Sequence, residues 1–195
     1  MASRVPSPPL PQVFSYAQAR RAGYSKHEIY RLRDAGQIEA ISRGVYRRSV
    51  AAILEEDLVE IALKAPHATL CLASALVRHG LTDEILARTD IALPRRTRNP
   101  SVLAPVRWHH FEVATFELGR TQLSLDGHTT IGLYSPERSI VDAFRLRATE
   151  GHELAHVALK RWLRKPGNHA AALLQLAKHF PRTVTPLRKA LELLL

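Results

Sequence analysis

Residues 14–48 decide the fold, and they run FSYAQARRAGYSKHEIYRLRDAGQIEAISRGVYRR. The first part predicts a helix from about Ser15, with alanines on its inner side, that ends at Gly23. A second helical pattern begins only two residues later, after Tyr24. Two helices separated by so short a turn indicate a helix-turn-helix.

The second of these helices has well-defined ends. Ser25 and Glu28 have the spacing of a capping box, in which each side chain accepts a hydrogen bond from the backbone N–H of the other residue. Ile29 and Leu32 supply the buried face, and Gly36 lies where a left-handed C-cap is expected. The helix therefore has one buried side and one side free for contacts.

A tight hairpin is predicted next, over residues 38–48. Ile38 and Ile41 flank a polar tip that contains Gly44, and Val45-Tyr46 continues as a strand. A hairpin directly after a helix-turn-helix is a wing. The sequence thus predicts a winged helix-turn-helix.

The side of the second helix opposite Ile29 is rich in hydrogen-bond donors. At 100° per residue it carries His27, Tyr30 and Arg31, with Lys26 at its edge. Such side chains can donate to DNA phosphates and to purine acceptors, and arginines on the hairpin can contact the neighbouring backbone. The predicted DNA-binding residues are Ser25, Lys26, His27, Tyr30, Arg31, Arg43, Arg47 and Arg48.

The charge distribution also favours a nucleic acid partner. The chain has 195 residues and a formal net charge of +10. Residues 1–53 carry nine Lys and Arg against three acidic residues, residues 54–141 carry nine against eleven, and residues 142–195 carry ten against four. A polyanion binds such segments because its condensed counterions are released. A generally basic composition without such a partner is the alternative interpretation.

The remaining sequence predicts an α+β protein in three parts. Residues 1–13 form a flexible proline-rich arm, residues 14–52 form the DNA-binding domain, and residues 53–195 form a partner-binding domain. The predicted elements of the last part are helices over 54–64 and 72–79, strands over 90–93, 106–111, 122–125 and 129–134, and helices from 135, over 153–163, 169–179 and 185–194.

The sequence carries no pattern typical of an enzyme. It lacks phosphate-binding glycine loops, a nucleophile elbow and zinc-type spacings, and its one cysteine, Cys71, excludes an internal disulfide. His109 and His110 are adjacent on a strand and point to opposite faces, while Asp90 and Glu112 lack a Glu-x-Lys companion for a nuclease. We expect no catalytic residue, no metal and no cofactor. No apolar run approaches the roughly 20 residues of a membrane span and no signal peptide is evident, so a cytoplasmic location is expected.

Three blocks of sequence resemble the AbiEi family of abortive-infection antitoxins, which also act as transcriptional repressors. The first block comprises residues 14–25 (FSYAQARRAGYS), 29–38 (IYRLRDAGQI) and 43–46 (RGVY). The second is residues 72–81 (LASALVRHGL), and the third is residues 134–142 (YSPERSIVD). The resemblance runs from about residue 14 to the C-terminus through blocks in the same order. This chain departs from the longer family members because little except the proline-rich arm precedes the helix-turn-helix, so we expect the first stabilising helix of those members to be short or missing here.

The resemblance implies a function and a partner. It implies a winged-helix domain that binds inverted repeats in the operator of its own operon, and an antitoxin domain that counteracts a nucleotidyltransferase-type toxin. Two alternatives stay open at this point: a transcriptional regulator unrelated to a toxin, and a nuclease that uses the winged helix only for targeting.

Overall fold

The computed structural model describes residues 10–49 and 55–194, and it has a mixed α and β architecture with a helical C-terminal part. The chain divides into two compact units. The N-terminal unit combines the chain up to residue 66 with segments 100–104 and 124–131, and the C-terminal unit contains the rest. Most of the predicted arm (residues 1–9) and the predicted junction near residue 50 lie outside the described residues. The division at residues 52/53 therefore stays a prediction.

In its described residues, the N-terminal unit pairs a small antiparallel sheet with helices. The strand order is β1-β3-β2, so the third strand lies in the centre. The helix pair and the hairpin occur where the sequence predicts them. The first strand is not predicted, and it makes Val13, assigned to the arm, a buried residue. The elements are β1 (Val13–Ser15), α1 (Tyr16–Arg21), α2 (Lys26–Asp34), β2 (Ile38–Ser42), β3 (Val45–Arg48) and α3 (Glu56–Lys64).

Strand β1 supplies side chains to two apolar clusters of the N-terminal unit. Successive side chains of a strand point to opposite faces. Phe14 therefore packs with Ala19, Ile29, Ile38 and Tyr46, while Val13 packs with Val45, Val59 of α3 and the partly buried Leu125. Residues distant in sequence thus complete the core of this unit.

Glu60 on α3 attaches another distant segment to the N-terminal unit. Its buried carboxylate accepts hydrogen bonds from the backbone N–H groups of Leu103 (3.0 Å) and Ala104 (3.2 Å) and from the Lys64 ammonium (3.0 Å). A buried carboxylate is stabilised when its oxygens are paired in this way. Segment 100–104 is therefore held by α3.

Arg47 links three elements of the N-terminal unit through its side chain. It lies opposite Glu39 in the β2–β3 register and donates to that carboxylate at 2.6 Å. It also donates to Glu56 at the start of α3, at 2.8 Å. The hydrogen bond to Glu39 and the charge of Glu56 raise the pKa of Arg47 above its usual value. The guanidinium thus joins β3 to both β2 and α3.

The C-terminal unit is built on a mixed sheet with the strand order β6-β5-β4-β8-β7. β4 is antiparallel to β5 and parallel to β8, and β5 is parallel to β6. The tip of the β7–β8 hairpin, residues 124–131, is assigned to the N-terminal unit. The strands are β4 (Thr69–Leu70), β5 (Thr89–Pro94), β6 (Val106–Phe111), β7 (Arg120–Ser124) and β8 (Thr130–Tyr134).

The helices of the C-terminal unit pack around α6. Its buried residues Ile140, Val141 and Phe144 share one apolar cluster with Leu76 and Trp162. α6 begins as predicted, because Ser135 caps it by accepting from the N–H of Arg138 and Pro136 occupies the first turn. The helices are α4 (Leu72–Arg78), α5 (Val113–Phe116), α6 (Pro136–Arg145), α7 (Arg147–Glu150), α8 (His152–Leu163), α9 (Ala170–Ala177) and α10 (Val184–Leu194).

A buried ion pair lies on the inner side of α6. Arg138 and Asp142 are both fully buried, and the Arg138 Nε donates to the Asp142 carboxylate at 2.8 Å. Arg138 also donates to the carbonyl oxygens of Thr115 (2.7 Å) and Leu118 (2.6 Å). Its guanidinium lies over the ring of Tyr134, 4.2 Å from the ring centre. The pair therefore joins the helix to the loop around α5.

We expect Asp142→Asn to lower the free energy of unfolding by about 3–5 kcal/mol, because it leaves the Arg138 charge buried without its counterion. Urea unfolding followed by circular dichroism measures this. Glu153→Gln, which removes an exposed acid on α8, is the control and should change the value by no more than about 0.5 kcal/mol. Similar losses in the two variants would contradict the role given to the pair.

A second expectation concerns Arg47. Arg47→Gln should lower the free energy of unfolding by about 1 kcal/mol, because partly exposed ion pairs contribute up to about 1 kcal/mol each. Arg48→Gln removes the same charge from the exposed neighbouring position and should have an effect near zero. Equal stability of the two variants in the same urea experiment would show that the Glu39 and Glu56 contacts do not stabilise the unit.

Candidate nucleic-acid interface

Helix α2 is fixed at both ends by the residues that the sequence indicated. The Glu28 N–H donates to Ser25 Oγ at 3.2 Å, and the Ser25 N–H donates to the Glu28 carboxylate at 2.8 Å. The predicted capping box is therefore confirmed. Gly36 has a φ of +67°, the left-handed conformation expected of the residue after a helix end. Ser25 acts within the chain as the cap of α2.

The outer side of α2 presents cationic and imidazole groups to solvent. Ile29 is fully buried, whereas Lys26, His27 and Arg31 are exposed. His27 and Arg31 are four residues apart and lie on one face, a turn apart. No described residue forms a hydrogen bond with either side chain. These two side chains can donate hydrogen bonds to an external partner.

Tyr30 is held between two cations on the same helix. The Lys26 ammonium lies 5.6 Å and the Arg33 guanidinium 4.9 Å from the centre of its ring. Arg33 also donates to the Asp34 carboxylate at 3.0 and 2.8 Å, which raises the pKa of Arg33. These cation–π contacts restrain the half-buried phenol ring of Tyr30.

An open depression of about 420 Å³ lies between α2 and the tip of the β2–β3 hairpin. It brings together three of the predicted residues, Lys26, Tyr30 and Arg43. Gly44 at the hairpin tip has a φ of +78°, and its carbonyl accepts a 2.7 Å hydrogen bond from the N–H of Tyr16 at the start of α1. This bond fixes the hairpin tip beside the helix pair. The lining residues are Tyr16, Lys26, Tyr30, Arg43, Gly44 and Tyr46.

The other two predicted hairpin arginines lie elsewhere. Arg47 is engaged with Glu39 and Glu56, as described above. Arg48 is exposed and lines a second depression, of about 450 Å³, together with Leu10, Tyr24 and Leu32 among others. Of the predicted hairpin cations, the depression beside α2 therefore contains Arg43 alone.

The structure adds three residues to this surface that the sequence analysis did not single out: Tyr16, Arg33 and Tyr46. Tyr46 is 7% exposed and its ring stacks on Phe14, with ring centres 5.9 Å apart. Burial raises the pKa of the Tyr46 phenol, and Tyr30 raises it further, so the group stays a protonated donor. A helical wheel places Arg33 beside Lys26, but the position of Tyr16 depends on the β1–β3 pairing.

The acidic residues of the C-terminal unit that were weighed for nuclease chemistry are paired with cations. Asp90 accepts from the Arg107 Nε at 2.6 Å and lies 2.9 Å from the His109 Nε2. Burial alone would raise the pKa of Asp90, but the hydrogen bonds from His109 and Arg107 lower it overall. Glu112 forms an ion pair with Arg95. These carboxylates are thus held in ion pairs.

Further groups bear on metals and membranes. Within residues 10–49 and 55–194, no cluster of three or more His, Cys, Asp or Glu side chains could hold a metal ion. The His110 Nε2 lies 3.0 Å from the Thr97 carbonyl oxygen, whereas the His109 Nε2 lies next to Asp90. The two imidazoles therefore have different partners. In the same residues, no helix has both the length and the apolar character needed to cross a membrane.

Comparison with known proteins gives a family and a fold. Residues 11–49 match the family model described as transcriptional regulator, AbiEi antitoxin. No curated protein sequence matches the chain. Among solved structures, the chain is similar to the RV2827C protein from Mycobacterium tuberculosis, with a TM-score of 0.54 and 19% identity over 94% of this chain and 76% of that one. At this identity the similarity concerns the fold. Residues 11–49, which carry α2 and the hairpin, therefore match the model of the AbiEi antitoxin transcriptional regulators, the family that the sequence pattern resembles.

Proposed function

We propose that the protein is a DNA-binding antitoxin that represses its own operon and counteracts a nucleotidyltransferase-type toxin. The N-terminal unit acts as a winged helix-turn-helix, with α2 as the recognition helix and the β2–β3 hairpin as the wing. One observation carries this proposal. The segment that matches the AbiEi regulators is the one in which the exposed donors of α2 lie beside Arg43 at the hairpin tip.

The exposed side of α2 supports a role in the major groove. An α-helix fits that groove, and base edges there are distinguished by their donor and acceptor patterns. Arg31 can donate two hydrogen bonds to a guanine, and His27 can donate to a purine nitrogen or a carbonyl oxygen. Both side chains lie opposite the buried Ile29. We assign base contacts to these two residues.

The remaining predicted residues have supporting roles in this proposal. Ser25 fixes the start of α2 and so the angle at which the helix is presented. Lys26, Tyr30 and Arg43 contact the DNA backbone. Arg47 holds the hairpin to α3, and its charge is already balanced by two carboxylates. Arg48 lines the second depression. In this proposal it contacts the DNA backbone only if the bound DNA extends past Gly36.

The toxin-directed role belongs to the C-terminal unit in this proposal. DNA binding is assigned here to the N-terminal unit, and the family model that residues 11–49 match is described as both a transcriptional regulator and an antitoxin. The C-terminal unit has its own apolar core around α6, so a substitution on α2 leaves its surface unchanged. The two activities are therefore expected to respond to different substitutions.

The base contacts can be tested with a double variant, His27→Ala with Arg31→Ala. A duplex selected by the wild-type protein from a random library is compared with a scrambled duplex by fluorescence anisotropy. We expect the variant to lose about 1–3 kcal/mol of discrimination for a lost bidentate base contact, at one stated salt concentration. Arg21→Ala removes an exposed charge from α1 and is the control for a general loss of charge.

Equal losses on the selected and the scrambled duplex would contradict the assignment of His27 and Arg31 to base contacts. A control variant that loses as much discrimination as the double variant would also contradict it. Circular dichroism confirms that each variant remains folded.

The antitoxin role predicts that the same double variant still protects cells. The product of the neighbouring gene, which this proposal takes to be a nucleotidyltransferase, is induced in cells that express the wild-type chain, the double variant or no antitoxin, and growth is measured. Both the wild type and the double variant should restore growth, whereas only the wild type should repress a reporter under the upstream promoter. If the wild type represses the reporter but fails to restore growth, the protein is a regulator without antitoxin activity towards that enzyme.

A further inference from the structure

The depression beside α2 contains two phenol groups, those of Tyr16 and Tyr46, that are not among the DNA-binding residues predicted from the sequence. Its lining contains three phenol groups, an ammonium and a guanidinium, and no carboxylate. All of these groups can donate hydrogen bonds. Two of the phenols, Tyr16 and Tyr46, come from elements outside α2, so the donors converge from the helix pair and the hairpin. Such a set fits an anion.

The hydroxyl groups of the three tyrosines have no hydrogen-bond partner within the described residues, although the rings of Tyr30 and Tyr46 have neighbours. No described residue forms a hydrogen bond with the hydroxyl of Tyr16, Tyr30 or Tyr46. In the C-terminal unit, by contrast, the buried Tyr134 hydroxyl donates to the Phe116 carbonyl at 2.9 Å. Tyr46 is 7% exposed and belongs to an apolar cluster of the N-terminal unit, yet it also lines the depression. A tyrosine at such a position usually finds a hydrogen-bond partner.

The geometry limits what the anion can be. Lys26 begins α2 and Arg43 lies at the hairpin tip, so the ligand contacts the recognition helix and the wing at once. An open depression of about 420 Å³ admits a small tetrahedral group on a longer molecule. A DNA backbone presents such groups, each with a negative charge and acceptor oxygens.

We propose that Tyr16, Lys26, Tyr30, Arg43 and Tyr46 form a binding site for one phosphate of the DNA backbone. This inference rests on the proposed function, because it takes DNA as the molecule that presents the anion. The bound phosphate is shared by α2 and the hairpin and so sets the register of the helix in the groove. Tyr30 is a positioning residue here and does not distinguish bases.

The test uses substitutions that remove only the hydroxyl groups. Tyr16→Phe with Tyr46→Phe keeps both rings, and binding is measured on the duplex selected by the wild type and on a scrambled duplex. We expect the affinity for both duplexes to fall by the same factor, at least about tenfold, because hydrogen bonds to a charged group are lost without any loss of base contacts. Thermal unfolding of the variant confirms that it is folded.

A second measurement locates the phosphate. Selected duplexes that each carry one neutral methylphosphonate linkage are bound to the wild type and to the double Phe variant. One linkage should weaken wild-type binding strongly and the variant only slightly, because both changes remove the same contact. Removal of both cations together, Lys26→Ala with Arg43→Ala, should flatten the dependence of log K on log salt by about one unit, whereas the Phe variant should not change that slope.

The outcomes separate this inference from the function on which it rests. A wild-type protein that selects no duplex would overturn the proposed function, and this inference with it. A wild type that binds selectively, together with a Phe variant of unchanged affinity, would overturn the phosphate site alone. A Phe variant that loses affinity for the selected duplex only would show that the hydroxyls contact bases, which also overturns it.

Discussion

The pairing of β1 with β3 is the constraint on which the candidate interface depends. It places Phe14 against Tyr46 and lets the N–H of Tyr16 donate to the Gly44 carbonyl. These bonds add to the packing of Ile29 of α2 against Ile38 and Tyr46 of the hairpin, and they fix the hairpin tip beside α1. A strand of three residues therefore determines where Arg43 lies relative to Lys26.

The two units use buried charge in different ways. In the C-terminal unit, Arg138 and Asp142 are buried together, and carbonyl oxygens and aromatic rings surround the guanidinium, although its Nη2 has no hydrogen-bond partner among the described residues. Such a pair fixes one arrangement of α6 because any other would leave a charge unpaired in an apolar core. In the N-terminal unit, the comparable arginine, Arg47, is partly exposed and links elements at the surface. The N-terminal unit thus keeps the Arg47 guanidinium partly accessible to solvent, whereas the C-terminal unit buries the guanidinium of Arg138.

Local signals in the sequence were sufficient for most elements. The Ser25–Glu28 box and Gly36 gave both ends of α2, and Ser135-Pro136 gave the start of α6. The predictions missed β1 and β4, which have three and two residues, because strands this short have no periodicity and form only by pairing with distant partners. The four-residue helices α5 and α7 were missed for a similar reason.

The candidate site shows the same limit. A helical wheel of α2 was enough to place His27 and Arg31 on the exposed side, because the helix is regular and Ile29 marks its buried face. The wheel could not show that Tyr16 and Tyr46 lie beside Tyr30, or that Glu56 engages Arg47, because these contacts depend on β1 and on the packing of α3. The tertiary structure therefore decides how many hairpin cations can contact an external partner.

The discontinuous make-up of the N-terminal unit has a consequence for how the protein is made. Leu125 packs with Val13, Val45 and Val59, and Leu103 and Ala104 hydrogen-bond to Glu60. Domains of a growing chain fold in order of synthesis when each is contiguous. Here the N-terminal unit lacks part of its core until residue 125 has followed. The unit that contains the candidate interface therefore completes its core late, and nascent chains interrupted before Leu125 would carry it in incomplete form.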